Sequence, residues 1–115
     1  MSQFVINGPA RLQGELIVPG AKNSVSKLLA AAMLTGETCE FTNVPHIADT
    51  SVTVDICRSL GTYFMEAAPR TLRVRTPVLT GSSVPQDLAR RNRLAVMMLA
   101  PLLHRTGSAR VPAAG

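Results

Sequence analysis

Aromatic residues are nearly missing from this chain: three Phe, one Tyr and no Trp in 115 residues. A small module centred on aromatic packing is therefore disfavoured, and Ala, Leu and Val must supply the core. That composition suits helices packed on a sheet. Cysteine is scarce as well. Cys39 and Cys57 form no C-x-x-C pair and do not make a disulfide framework at this length. His46 and His104 stand apart from both, which leaves no metal-ligand spacing and reads them as ordinary surface or packing residues. The amino terminus shows no basic segment followed by an apolar one, so no signal peptide is visible. The longest apolar run, Leu94–Leu103, is too short to span a bilayer and contains Pro101. A reduced, cytoplasmic protein is the expectation. The 8 Gly and 8 Pro follow no period, which excludes collagen-like repeats. Balancing this, 46% of residues are apolar and 17% charged, enough to build one modest domain.

The net charge of +5 is unevenly spread. Residues 1–66 carry six acids and four bases, whereas residues 67–115 carry eight arginines against Asp87 alone. Such asymmetry points either to an anionic partner or to balancing acids elsewhere in a longer chain. A small basic nucleic-acid-binding module is one reading, but no aromatic residues interleave with the arginines and no zinc or RNP motif is present.

Alternation and turn residues predict strands at 3–7 and 11–18, the second with Leu12, Leu16 and Val18 on one face. Asn23 or Ser24 is expected to cap a helix reaching Leu34, with Leu28, Ala31 and Ala32 sharing a face and Gly36 as the stop. A strand follows at Cys39–Thr42. Asp49 or Thr50 should cap a second helix, with Val52, Ile56 and Leu60 on its apolar stripe and Gly61 at its end. Tyr63–Glu66 and Thr71–Arg75 read as an antiparallel pair turning at Ala68-Pro69, the second with one wet face. A third helix opens near Ser83 and Pro85 and runs to about His104, kinked or broken at Pro101. Gly107 ends it, and Ala109–Val111 is a last strand. An apolar helix, Thr-Gly, a short strand and Val-Pro occur twice, at 29–45 and 98–112, which suggests a repeated unit of helices backing a mixed sheet.

Three places could carry chemistry. In Val18-Pro19-Gly20-Ala21-Lys22-Asn23-Ser24 a glycine turn leads straight into a helix start with a lysine at the entry. Free N–H groups, the helix dipole and Lys22 together favour an anion. The same residues read equally as a structural cap beside a solvated lysine, and Walker spacing is absent. In Arg90-Arg91-Asn92-Arg93 a helical arginine could clamp phosphate or carboxylate bidentately. Arg90 and Arg91 read as solvated. Arg93 adjoins the apolar run and is expected to be partly buried and aimed at something. Asp49 reads first as a helix cap. If the two helix starts face one cleft, it could also orient Lys22 as a proton-handling pair.

With these residues in view, Leu12-Gln13-Gly14-Glu15, Val18-Pro19-Gly20-Ala21-Lys22-Asn23, Leu28-Leu29-Ala30-Ala31, Asn43-Val44-Pro45, Asp49, Arg93 and Pro101-Leu102-Leu103 resemble the amino-terminal signature of the UDP-N-acetylglucosamine 1-carboxyvinyltransferases. The resemblance spans essentially the whole chain. The sister family, 3-phosphoshikimate 1-carboxyvinyltransferase, usually has Ser rather than Asn after its lysine. The resemblance implies an α/β (α+β) fold: one βαβαββ-type repeat of the inside-out α/β barrel of the enolpyruvyl transferases, incomplete. It implies that residues 1–21 are strands belonging to a missing second domain and that 22–115 are the first repeat unit, truncated. The implied activity is transfer of the enolpyruvyl group of phosphoenolpyruvate to the 3-hydroxyl of UDP-N-acetylglucosamine, with no cofactor, metal, nucleic acid or membrane. Lys22 would contact phosphoenolpyruvate, Asn23 the sugar nucleotide and reacting centre, and Arg93 the phosphate site, with Asp49 at a family-like place. The family's mobile loop, with its proton-donating Cys or Asp and a nearby arginine, has no counterpart here. Val111-Pro112-Ala113-Ala114-Gly115 stands where it would begin. Neither Cys39 nor Cys57 can replace that acid, since both fall in predicted core elements, and the chain alone is expected to be inactive.

Overall fold

A computed structural model describes residues 2–46 and 48–113, the side chains of Ala48 and Asp49 excepted. The elements run α1 (Lys22–Ala32), β1 (Thr38–Phe41), α2 (Ala48–Ser59), β2 (Tyr63–Ala68), β3 (Thr71–Arg75), α3 (Gln86–Arg91), a 3₁₀ helix (Arg93–Met98) and α4 (Leu99–Thr106). The strands form one antiparallel sheet in the order β1-β3-β2. Cys39, Val74 and Phe64 stand in register, as do Glu40, Arg73 and Met65. The first row faces the helices, with Val74 buried and Cys39 and Phe64 packed against the core. The second row is wet, and there Arg73 Nε donates to Glu40 Oε2 at 2.7 Å. The expected one-sided alternation of β3 is therefore present.

Helices cover the inner face. Leu29, Ala32 and Met33 of the α1 segment, Val52, Ile56 and Leu60 of the α2 segment, and Met98 and Leu102 further on form one buried cluster. The α2 stripe is the one expected from its i, i+4, i+8 spacing. Gly61 follows at φ +106°, where a Cβ would also meet the Val78 carbonyl oxygen at 2.6 Å. Gly107, at φ 77°, ends α4 in the left-handed conformation and donates to Leu103 O at 3.1 Å.

Several expectations are corrected. No strand forms at 3–7 or 11–18; residues 2–20 run without a ladder partner, and Phe4, Ile6, Leu12, Leu16 and Ile17 are exposed. Alternation supplies a side-chain pattern, but a strand also needs a neighbour for its backbone groups. This arm gives the molecule a radius of gyration of 17.4 Å, against about 13 Å for a globule of this length. α1 starts at Lys22 with Ala21 as its N-cap and no side-chain cap, so neither Asn23 nor Ser24 caps it. Its buried stripe is Val25, Leu29, Ala32 and Met33, while Leu28 is half exposed. α2 begins at Ala48, which places Asp49 and Thr50 inside the helix rather than at its cap.

The long third helix breaks at Asn92, not at Pro101. Asn92 is extended (φ −150°, ψ 116°), and its side chain caps the next turn by accepting from Leu94 N at 2.8 Å. Pro101 is tolerated because it lies in the first turn of α4, where its missing N–H has little to lose. The last strand shrinks to a single parallel bridge, Ser83 with Arg110.

Candidate functional site

The α1 entry is held from both sides. Asn43, in a left-handed conformation (φ 56°), donates from its side chain to Val18 O at 3.1 Å. Gly20 lies so close to the Asn43 carbonyl that a Cβ there would collide with it. The following Val44 exchanges backbone and side-chain hydrogen bonds with Arg70 at the β2–β3 turn. A small groove at this junction is lined by Gly20, Ala21, Ser24, Phe41, Asn43 and Pro45. The segment leading into α1 thus packs on the segment leading into α2. Since β1 returns the chain between the two helices, both start at the same end of the molecule.

Lys22 and Asn23 are the first two residues of α1, and both are exposed at that end. The helix start has no acid in its first turn and no side-chain cap, an arrangement that leaves its dipole available to an anion. Position 49 lies in the first turn of α2; the Asp49 side chain is outside the described residues. Arg93 opens the 3₁₀ helix and is exposed, contrary to the expected partial burial. It lines a groove of about 420 Å³ with Asn92, Val96, Leu99 and Val111, separate from the groove at the α1 entry. The break at Asn92 also removes the helical spacing that would have made Arg90 its neighbour. Arg90 and Arg91 are exposed, as expected.

What ties these places together is a buried polar knot that the sequence does not announce. Ser26 Oγ and Thr53 Oγ1 are 3.0 Å apart, and Asn92 Nδ2 donates to Thr53 Oγ1 at 3.1 Å. The three residues are 1%, 2% and 7% exposed. The one local signal is a polar residue on each apolar helix face: Ser26 beside Val25 and Leu29, Thr53 beside Val52 and Ile56.

Elsewhere the basic half is partly consumed internally. Arg105 donates to the carbonyls of Met33, Thr76 and Pro77 at 3.1, 2.7 and 2.9 Å, and Arg75 to that of Gly36 at 3.2 Å. A third groove, of about 400 Å³, lies between α2 and the β2–β3 hairpin, with Asp55, Arg58, Glu66 and Arg70 on its walls. Arg58 there faces Asp55 at 3.8 Å and sits 5.4 Å from the Phe64 ring centre. Burial pushes the Cys57 thiol up to about 12, so it stays protonated near neutrality. Among the described residues no three His, Cys, Asp or Glu gather as a metal site, and no helix is long and apolar enough to cross a membrane.

The chain matches the EPSP synthase (3-phosphoshikimate 1-carboxyvinyltransferase) family over residues 6–114. It is 38% identical over 115 residues to the UDP-N-acetylglucosamine 1-carboxyvinyltransferase of Maricaulis maris, covering all of this chain and 27% of that protein. It is 40% identical over 116 residues to the protein of the same name from Gluconobacter oxydans, with coverages of 100% and 27%. The fold resembles the crystal structure of the enolpyruvyl transferase NikO from Streptomyces tendae, with a TM-score of 0.73 and 28% identity over 89% of this chain and 24% of that one. The chain spans about a quarter of the length of the curated relatives it matches.

Proposed function

This chain belongs to the EPSP synthase (3-phosphoshikimate 1-carboxyvinyltransferase) family, and from that premise we propose that it is part of an enzyme moving the enolpyruvyl group of phosphoenolpyruvate onto the 3-hydroxyl of UDP-N-acetylglucosamine with release of phosphate. That is the first committed step of peptidoglycan synthesis, and the proposed place of action is the cytoplasm. The observation that carries the choice of acceptor is identity of 38–40% along the chain to proteins named for UDP-N-acetylglucosamine. Asn23 directly after Lys22 favours the same acceptor over shikimate 3-phosphate.

In this reading residues 22–115 are the first repeat unit, and residues 1–21 pair with a second domain. The exposed apolar arm, without a ladder partner, supports that division. Lys22 and Arg93 are the cations for a ligand bearing both a carboxylate and a phosphate. Their charge favours its binding and stabilises the negative charge that grows on the departing phosphate. In the same reading Asn23 orients the sugar nucleotide, and Asp49 is the carboxylate proposed to act with Lys22.

The test is phosphate release by the full-length protein from phosphoenolpyruvate with UDP-N-acetylglucosamine, and separately with shikimate 3-phosphate. Turnover is expected with the first acceptor alone. Lys22→Met or Arg93→Met should lower kcat/KM by about 100-fold or more, the usual scale for removing one charge-stabilising donor. Exclusive use of shikimate 3-phosphate would reject the acceptor. Turnover by the isolated 115-residue chain would reject the expectation that Lys22 and Arg93 hold only part of the site.

A further inference from the structure

We infer that the hydrogen-bonded knot of Ser26, Thr53 and Asn92 is the positioning element that sets Lys22 and Arg93 in register for a single ligand with two anionic ends. The inference rests on the function proposed above.

The knot sits where three segments meet. Ser26 lies on α1, Thr53 on α2, and Asn92 at the break between α3 and the 3₁₀ helix. Each candidate residue is one short step from a member of it. Lys22 precedes Ser26 by four residues, one helical turn and about 6 Å along the axis. Position 49 precedes Thr53 by the same interval. Arg93 follows Asn92 directly. Because α1 and α2 begin at the same end, the steps from Ser26 to Lys22 and from Thr53 to position 49 both lead toward that end.

Apolar side chains could fill this seam with no loss of stability, since a buried polar group gains little over a hydrophobic one of the same shape. What a hydrogen-bonded seam adds is direction, because it fixes both distance and rotation between the elements it joins. Asn92 shows this most plainly. Its Nδ2 reaches Thr53 and its Oδ1 receives Leu94 N, so one side chain both anchors the junction to α2 and starts the turn that carries Arg93. An uninterrupted helix would send residue 93 in a different direction. Thr53 bonds to both neighbours, so it is the member whose loss removes the hydrogen-bonded link from Ser26 on α1 to Asn92 at the Arg93 junction. The exposure of Lys22 and Arg93 gives the knot its purpose: neither cation is held in place by burial. The elements beneath them contribute to their spacing, and a misplacement of about 1 Å can cost on the order of 100-fold in rate.

The test uses Thr53→Val in the full-length protein, which keeps the shape and removes the hydroxyl, with Thr53→Ser restoring it. The expected result for Thr53→Val is a KM for phosphoenolpyruvate raised about 10-fold or more while the KM for the nucleotide acceptor moves less than about twofold. Thr53→Ser should return the first constant close to its starting value. A plain loss of folding would lower the active fraction and the melting temperature without separating the two constants. Unchanged KM for phosphoenolpyruvate in a less stable Thr53→Val protein would overturn the inference and leave the proposed function standing. Absence of any phosphoenolpyruvate turnover in the unsubstituted protein would overturn the function, and the inference with it. Should Thr53→Val fail to fold, Ser26→Ala removes the same link from the other helix and is judged by the same two constants.

Discussion

The arm of residues 2–20 and the body that follows have similar shares of large apolar side chains and opposite fates. Ile6, Leu12 and Ile17 are 89%, 92% and 90% exposed; Leu29, Ile56 and Leu102 are 1%, 1% and 0% exposed. The arm alternates well enough to be read as two strands. The body succeeds where the arm does not because its elements find one another within the chain: β3 sits between β1 and β2, and the helices close over the inner row. Hydrophobic patterning states which side should be covered, and a partner must still supply the cover and the ladder hydrogen bonds.

The sharpest way to break this contrast is truncation in each region. Leu102→Ala should cost about 2–5 kcal/mol, the range for a buried leucine in a packed core. Leu12→Ala should move the unfolding free energy of the same chain by less than about 0.5 kcal/mol. Urea denaturation of both variants reads the difference, and equal losses would mean that the arm is packed in solution.

A smaller effect, about 2 kcal/mol, is expected for Arg105→Met, because charge-assisted hydrogen bonds to partly buried carbonyls are lost and the carbonyls are left behind. It should destabilise the body by loosening the α1 carboxyl end from the residues after β3. Thermal unfolding reports it, and a melting point unchanged from wild type would show that water replaces the guanidinium without loss.

A further effect is confined to alkaline pH. Burial raises the Cys57 thiol from 9.0 to about 12 in the folded chain, whereas the unfolded thiol ionises near its ordinary value. Between those values the unfolded state holds fewer protons, so stability is intact below about pH 9 and falls as pH rises toward 12. The melting temperature of the wild type should decline more steeply over that window than that of Cys57→Ala. Identical slopes would show that the thiol is reached by water before global unfolding.

Much of the body is legible in the sequence. The α2 stripe, the β2–β3 pair with its wet face, Gly61 and Gly107 all follow from short-range spacing and turn chemistry, and all are present. The departures share a physical cause, which is dependence on distant residues. Asn92 rather than Pro101 breaks the third helix because Thr53, 39 positions earlier, offers it a hydrogen bond. Ser26 shows locally only as a polar residue on an apolar helix face, because the partner that explains it lies 27 positions away. The apolar run after Arg93 suggests shelter for it, and the turn that Asn92 starts leaves it exposed instead. Of the candidate site, Lys22, Asn23 and Arg93 are proposed from local motif and resemblance. The frame beneath Lys22 and Arg93 depends on contacts across the fold, which no local pattern encodes.

The contact between Gly20 and the Asn43 carbonyl bears on how this sequence can drift. Gly20 needs no left-handed conformation, yet even a methyl group would strike the backbone of another segment, which cannot swing aside as a side chain tip would. Neighbouring positions in the arm face open solvent and should accept most replacements in this chain. A position in an otherwise permissive stretch is therefore closed to the alphabet by a single atom, and insertions or fusions near the start of α1 belong on the arm side of it.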